Sequence, residues 1–189
     1  FCLLSIVGNL ATSFLASALH APIFLDTIFT VAITFYAGLV PGLIVAVLHN
    51  PIMTFIRYVI YGTDLFYFGS LYAVCGMLIA LSTWILSRNK KDFFFNRTVT
   101  VLYLLIIVFV SSFLSCFSAS ALDTFIRPLL NDSLRFFPTD IFSIPFQKLK
   151  FGMFLSYLLP RIPITVLDRL ICTFSGFGLY RLVERRTAC

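Results

Sequence analysis

Residues 98–121 contain no charged side chain, and this is one of several such runs in the chain. A helix needs about 20 apolar residues to cross the hydrocarbon of a bilayer, so repeated runs of this kind confine the chain to a membrane architecture. Composition agrees: 60% of residues are hydrophobic, only 12% are charged and the mean hydropathy is +1.00. Six spans can be drawn, over residues 1–19, 27–37, 42–60, 66–86, 98–121 and 162–183. They consume nearly all of the 189 residues, which predicts an all-α, polytopic membrane protein with one domain, 1–189, in the cell membrane.

The second span is too short to cross upright. It ends at Gly38-Leu39-Val40-Pro41-Gly42, where proline and glycine break a helix and allow a tight reversal. The preceding segment, HAPIFLD, is expected to be partly inserted into the protein. Irregular backbone survives at membrane depth only where it is buried or lines a cavity.

Charge sets the expected orientation. The net charge of +6 suggests nucleic acid, but the basic residues gather at the ends of apolar runs. Arg88, Lys90, Lys91 and Arg97 flank one connection, and Arg181, Arg185 and Arg186 lie at the C-terminal end. The connections HAPIFLD and YGTD lack Lys and Arg. By the positive-inside rule both chain ends are cytoplasmic. The long segment 122–151 is then external, between the fifth and sixth helices, as a lid or a mobile connector. Phe1 is not a natural first residue, so a short preceding segment is expected, and FCLLSIVGNL has no basic region or cleavage site of a signal peptide.

The five cysteines have no CxxC spacing; four read as small apolar fillers and Cys189 as a tail residue. No metal site and no cofactor is expected. The cluster Phe93-Phe94-Phe95 reads as lipid-boundary composition. No phosphate loop, HExxH or GxSxG motif occurs, so the chain is not expected to be an enzyme or to hydrolyse ATP itself.

Polar residues concentrate on the presumed external side of the spans. In the sixth, Arg161, Thr165, Asp168 and Cys172 form one stripe. Pro163 suits a first helical turn, which puts Arg161 at the outer mouth and Asp168 about 10 Å deeper. An ionisable group in a membrane costs about 2.5–3.5 kcal/mol on insertion scales and calls for a partner or a ligand. Asp168 either contacts substrate or pins helices through a cation such as Arg57, and Arg169 is expected to matter less. In the third span His49, Met53 and Arg57 repeat at i+4, with Asn50 sharing the face of Arg57; His49 is a satisfied core histidine or a ligand contact. Ser111, Ser115 and Ser118 share a face, and Tyr67 and Tyr72 are interface anchors or a stacking surface. The candidate substrate-binding set is Asp26, Asn50, Arg57, Tyr72, Ser115, Arg161, Thr165 and Asp168. In the first span Gly8, Thr12 and Ala16 repeat at i+4, a ridge that permits close helix contact and is the candidate docking face for a partner.

Three places resemble a known family: PIFLDTIFTVAITFYAGLVPGLIVAVLHN, the small residues of the first span, and RIPITVLDRLICTFSGFGLYRLVER. They are similar to the substrate-binding S component of energy-coupling factor (ECF) transporters, six-helix proteins with both ends in the cytoplasm. In that family the docking motif is usually alanine at i and i+4, and the closing helix often has Asn where Thr165 stands here. The resemblance implies capture of a vitamin or related micronutrient from outside, under external loops. It also implies partners: a membrane coupling subunit driven by two ATPases. Two other readings share the pattern, a ligand-sensing membrane domain of a signalling protein (a histidine kinase or cyclase) and a purely structural bundle.

Overall fold

The computed structural model describes residues 1–19, 21–62, 66–130, 145–146 and 152–187, and all regular structure among them is helical. In chain order the helices are α1 (Cys2–Ala18), α2 (Ile28–Ala37), α3 (Leu39–Tyr61), α4 (Phe66–Leu71), α5 (Ala73–Ser87), α6 (Lys90–Phe93), α7 (Arg97–Ala121) and α8 (Met153–Thr187). A π-helical turn, Leu122–Ile126, and a 3-10 turn, Arg127–Leu130, extend α7. The greater part of the expected external loop, with Pro138, lies outside the described residues, as does the side chain of Tyr67.

Four stretches are long and apolar enough to cross a membrane: Leu39–Ile60, Gly69–Ser87, Arg97–Ile126 and Met153–Thr187. The two shorter apolar helices, Cys2–Ala18 and Ile28–Ala37, reach only about 25 and 15 Å at ~1.5 Å per residue, against a hydrocarbon core of about 30 Å.

Local chemistry sets the boundaries. The reversal between α2 and α3 rests on Gly38 alone, at φ 91°. Pro41 falls inside the first turn of α3, where a missing N–H costs nothing, so α3 starts earlier than the expected residue 42. Asn96 caps α7 by accepting the Val99 N–H at 2.8 Å. The N-terminus of α2 is capped from another helix: buried Asn9 of α1 accepts the Phe29 N–H at 2.9 Å and donates to Thr30 Oγ1 at 2.9 Å.

The closing helix departs most from expectation. It begins at Met153 and carries Pro160 and Pro163 in its interior, so Pro163 does not mark a first turn. Each proline removes one backbone bond, a loss that membrane helices accommodate when neighbours satisfy the freed groups. Arg161 therefore lies well inside the helix instead of at its mouth, and it is buried.

α8 packs on α2 and α7, α5 lies between α3 and α7, and α1 covers α2 and α3. α2 and α8 approach closely at Gly176, where an added Cβ would stand 2.6 Å from the Ile28 carbonyl oxygen and 2.9 Å from the Val31 side chain. A backbone oxygen cannot step aside, so Gly176→Ala is expected to cost about 1–3 kcal/mol of overpacking, read as a lower thermal unfolding midpoint in detergent.

The end of the bundle that carries the basic residues is closed by aromatic rings. Phe35 meets Phe93 at 5.6 Å and Tyr180 at 5.7 Å between centroids, and Phe177 and Phe94 pack around them. Lys90 Nζ lies 5.1 Å from the Tyr180 ring, and the Tyr180 hydroxyl donates to Glu184 at 2.6 Å. The Phe93-Phe94-Phe95 cluster is thus divided. Phe93 is a core residue, 1% exposed, and only Phe95, 78% exposed, faces outward as lipid-boundary composition predicts.

Candidate functional site

Two buried ionic networks lie in the half of the bundle away from the basic, aromatic end. The first is a clamp on the irregular segment 21–27. Asp168 Oδ1 accepts the backbone N–H groups of Phe24 at 2.9 Å and Leu25 at 2.8 Å. Its Oδ2 lies 2.5 Å from Arg169 Nη2, and the same nitrogen reaches Asp26 Oδ1 at 3.1 Å. Arg169 Nη1 donates to Thr27 Oγ1. From the other side Thr12 Oγ1 donates to the Leu25 carbonyl at 2.5 Å.

These contacts explain how non-helical backbone is held inside an apolar bundle. Leu25 has φ 47°, in the left-handed region that a branched residue adopts only at a cost of about 1–3 kcal/mol. Its N–H and carbonyl are both satisfied, by Asp168 and Thr12 respectively. HAPIFLD was expected to be partly inserted, and the described residues 21–27 are pinned by side chains of α1 and α8.

Asp168 is fully buried and its cation is Arg169, not Arg57. Arg169 also departs from its expected minor place: it is buried and joins two carboxylates to Thr27. Adjacent positions on a helix differ by about 100°, but the long arginine side chain spans that difference to meet its neighbour's carboxylate.

The second network joins three irregular points. Tyr72, at the break between α4 and α5, donates its hydroxyl to Asp123 Oδ1 at 2.5 Å. Asp123 sits in the π-helical turn after α7, and its Oδ2 lies 2.8 Å from Arg161 Nη2. The Arg161 guanidinium also stands 6.0 Å from the centre of the Tyr72 ring. π-helical turns are rare, and single ones inside α-helices often fall at functional sites.

Of the expected set, Asp26 and Asp168 meet in the first network, and Tyr72 and Arg161 meet in the second. Thr165 is buried on α8 between them. Ser115 is buried, its carbonyl accepts from Cys75 Sγ at 3.8 Å, and its hydroxyl has no partner among the described residues. Asn50 and Arg57 are half-buried on α3. Asp123, Thr27 and Asn9 were not singled out from sequence, and Arg169 was given only a lesser role. Asp123 was assigned to the loop because it follows the apolar run by two residues, yet its helix continues in π-helical geometry.

The ridge on α1 turns inward. A Cβ on Gly8 would stand 2.7 Å from the Phe29 ring, Thr12 bonds Leu25, and Ala16 is 1% exposed. The ridge packs against α2 and segment 21–27 of its own chain, with Gly8 and Thr12 half-buried, because small residues let these elements approach closely. Thr12→Val keeps the shape and removes the hydroxyl, so it is expected to destabilise by about 1 kcal/mol through the unpaired Leu25 carbonyl; unfolding followed by intrinsic fluorescence checks this.

Among the described residues no group of three or more His, Cys, Asp or Glu side chains could hold a metal ion. No family model matches the chain, and neither a curated protein nor a solved structure matches it.

Proposed function

We propose that the chain is the substrate-capture subunit of a membrane importer of the energy-coupling factor type. It takes a vitamin or similar micronutrient from the external side and passes it inward with a membrane coupling subunit and two ATPases. The observation that carries this reading is the concentration of buried ionic side chains at irregular backbone, in the half of the bundle away from the basic loops. Ionisable groups are costly in a membrane and commonly mark the path of a substrate. Segment 21–27, the Tyr72 break and the π-helical turn are the places where backbone can change without unwinding a whole span.

Purified chain should retain a small molecule, identified by mass spectrometry after denaturation, that rebinds saturably to stripped protein. Only lipid and detergent in the extract, and no saturable rebinding from cell extract, would overturn the reading.

A further inference from the structure

The stretch 88–97 carries Arg88, Lys90, Lys91, Asp92 and Arg97, and the last turns of α8 carry Arg181, Glu184, Arg185 and Arg186. Seven basic side chains thus stand against two acidic ones, a net charge of +5. The two groups share one end of the bundle because the connection between α5 and α7 docks on α8. The Arg181 guanidinium lies 5.2 Å from the centre of the Phe94 ring, and the Phe94 and Tyr180 rings stack at 6.4 Å. Lys90 Nζ, 5.1 Å from the Tyr180 ring, also donates to the Phe35 carbonyl of α2 at 3.3 Å.

Both acids are engaged within this end. Glu184 accepts from Tyr180 at 2.6 Å and from Arg181 at 2.9 Å, and Asp92 accepts from the Asn89 amide at 2.5 Å. The other five cations, Arg88, Lys91, Arg97, Arg185 and Arg186, are exposed, and none meets a carboxylate among the described residues. Deeper in the bundle the opposite holds: Arg161 and Arg169 each bind a buried carboxylate. Like charges gathered at one end repel one another, and anions from outside the chain relieve that repulsion.

Depth selects the anion. Of the stretches able to cross a membrane, Gly69–Ser87 ends one residue before Arg88, and Arg97–Ile126 begins at Arg97. The Arg88 guanidinium stands 6.0 Å from the centre of the Trp84 ring, one turn inside the span, and Phe95, two residues before Arg97, is 78% exposed. Tryptophan at a span end marks the level of the headgroups, and long cationic side chains there reach toward phosphate. A cluster of about four to eight Lys and Arg at the end of a membrane helix suits anionic lipid. We infer that this end binds the phosphate headgroups of anionic phospholipids through Arg88, Lys91, Arg97, Arg185 and Arg186, with Trp84 at the border of the acyl chains. An acidic partner protein would meet the same charges, but cations set against two span ends and a tryptophan favour lipid. This surface does not depend on what the bundle captures.

Trp84 is the single tryptophan of the chain, so its fluorescence reports on this end alone. The full chain is placed in phosphatidylcholine bilayers that contain rising fractions of phosphatidylglycerol with brominated acyl chains, or of equally brominated phosphatidylcholine. Brominated phosphatidylglycerol should quench Trp84 at a lower mole fraction than brominated phosphatidylcholine does. Arg88→Gln and Arg185→Gln should each weaken that preference by up to about fivefold, whereas Arg88→Lys keeps the charge and should preserve it. If Arg88→Gln alters folding or the Trp84 emission itself, Arg185→Gln carries the test. Glycerol 1-phosphate in the aqueous phase, at equal ionic strength, should not relieve the quenching. Equal quenching by the two brominated lipids, an unchanged preference in both glutamine variants, or relief by glycerol 1-phosphate would overturn the inference. The first result would leave the cations to an acidic protein partner, and the last to a soluble phosphate compound.

Discussion

Arg169→Met should destabilise the folded chain by about 3–5 kcal/mol, the range for removing one partner of a buried ion pair. Methionine fills similar volume, so the loss is electrostatic. Asp168, fully buried, would face Asp26 with no guanidinium between them, and Thr27 Oγ1 would lose its donor. Adding Asp168→Asn should recover part of the loss, because a neutral amide tolerates burial without a cation. It cannot recover all of it, since the amide oxygen is a weaker acceptor for the Phe24 and Leu25 N–H groups. Denaturant titration in mixed micelles would measure both; equal stability of wild type and Arg169→Met would mean that the clamp is not closed by this pair.

Asp123→Ala is expected to have an effect of similar size, about 3–5 kcal/mol, by taking from buried Arg161 the carboxylate 2.8 Å away. Tyr72→Phe should cost less, about 1.5–3 kcal/mol for a hydrogen bond to a charged group. The two changes should not add, because both remove the Tyr72–Asp123 bond. A double-mutant cycle on thermal stability reads this directly, and additivity of the two losses would show that Tyr72 and Asp123 act independently.

The helical class was legible because an apolar run long enough to span a bilayer admits few alternatives. Three of the expected spans lie within stretches long and apolar enough to cross and a fourth, 66–86, overlaps Gly69–Ser87, and the short second helix and the inserted segment after α1 were readable from length and from Gly38. The start of α8 was not. Proline at position 163 reads as a first-turn signal in a sequence, whereas in a packed bundle neighbouring helices tolerate it, and Pro160 before it, inside. The polar stripe on α8 marked Asp168 as a group needing a partner, whereas Arg161, expected at the outer mouth, is buried as well. Which partners they meet depends on contacts between residues far apart in the chain, such as Arg161 with Asp123 and Asp168 with Phe24 and Leu25, and periodicity carries no record of those. The α1 ridge shows the same limit. Gly8, Thr12 and Ala16 announce a close contact, but a small-residue repeat does not say whether the neighbour is a partner subunit or α2 of the same chain.

The most direct test of external capture is sided binding. The compound identified from purified protein, in labelled form, is offered to right-side-out spheroplasts and to inside-out vesicles that contain the chain. Capture predicts saturable binding on the right-side-out face, and accumulation inside only with the coupling subunit, both ATPases and ATP. Binding confined to inside-out vesicles, or accumulation independent of ATP and of those partners, would contradict it.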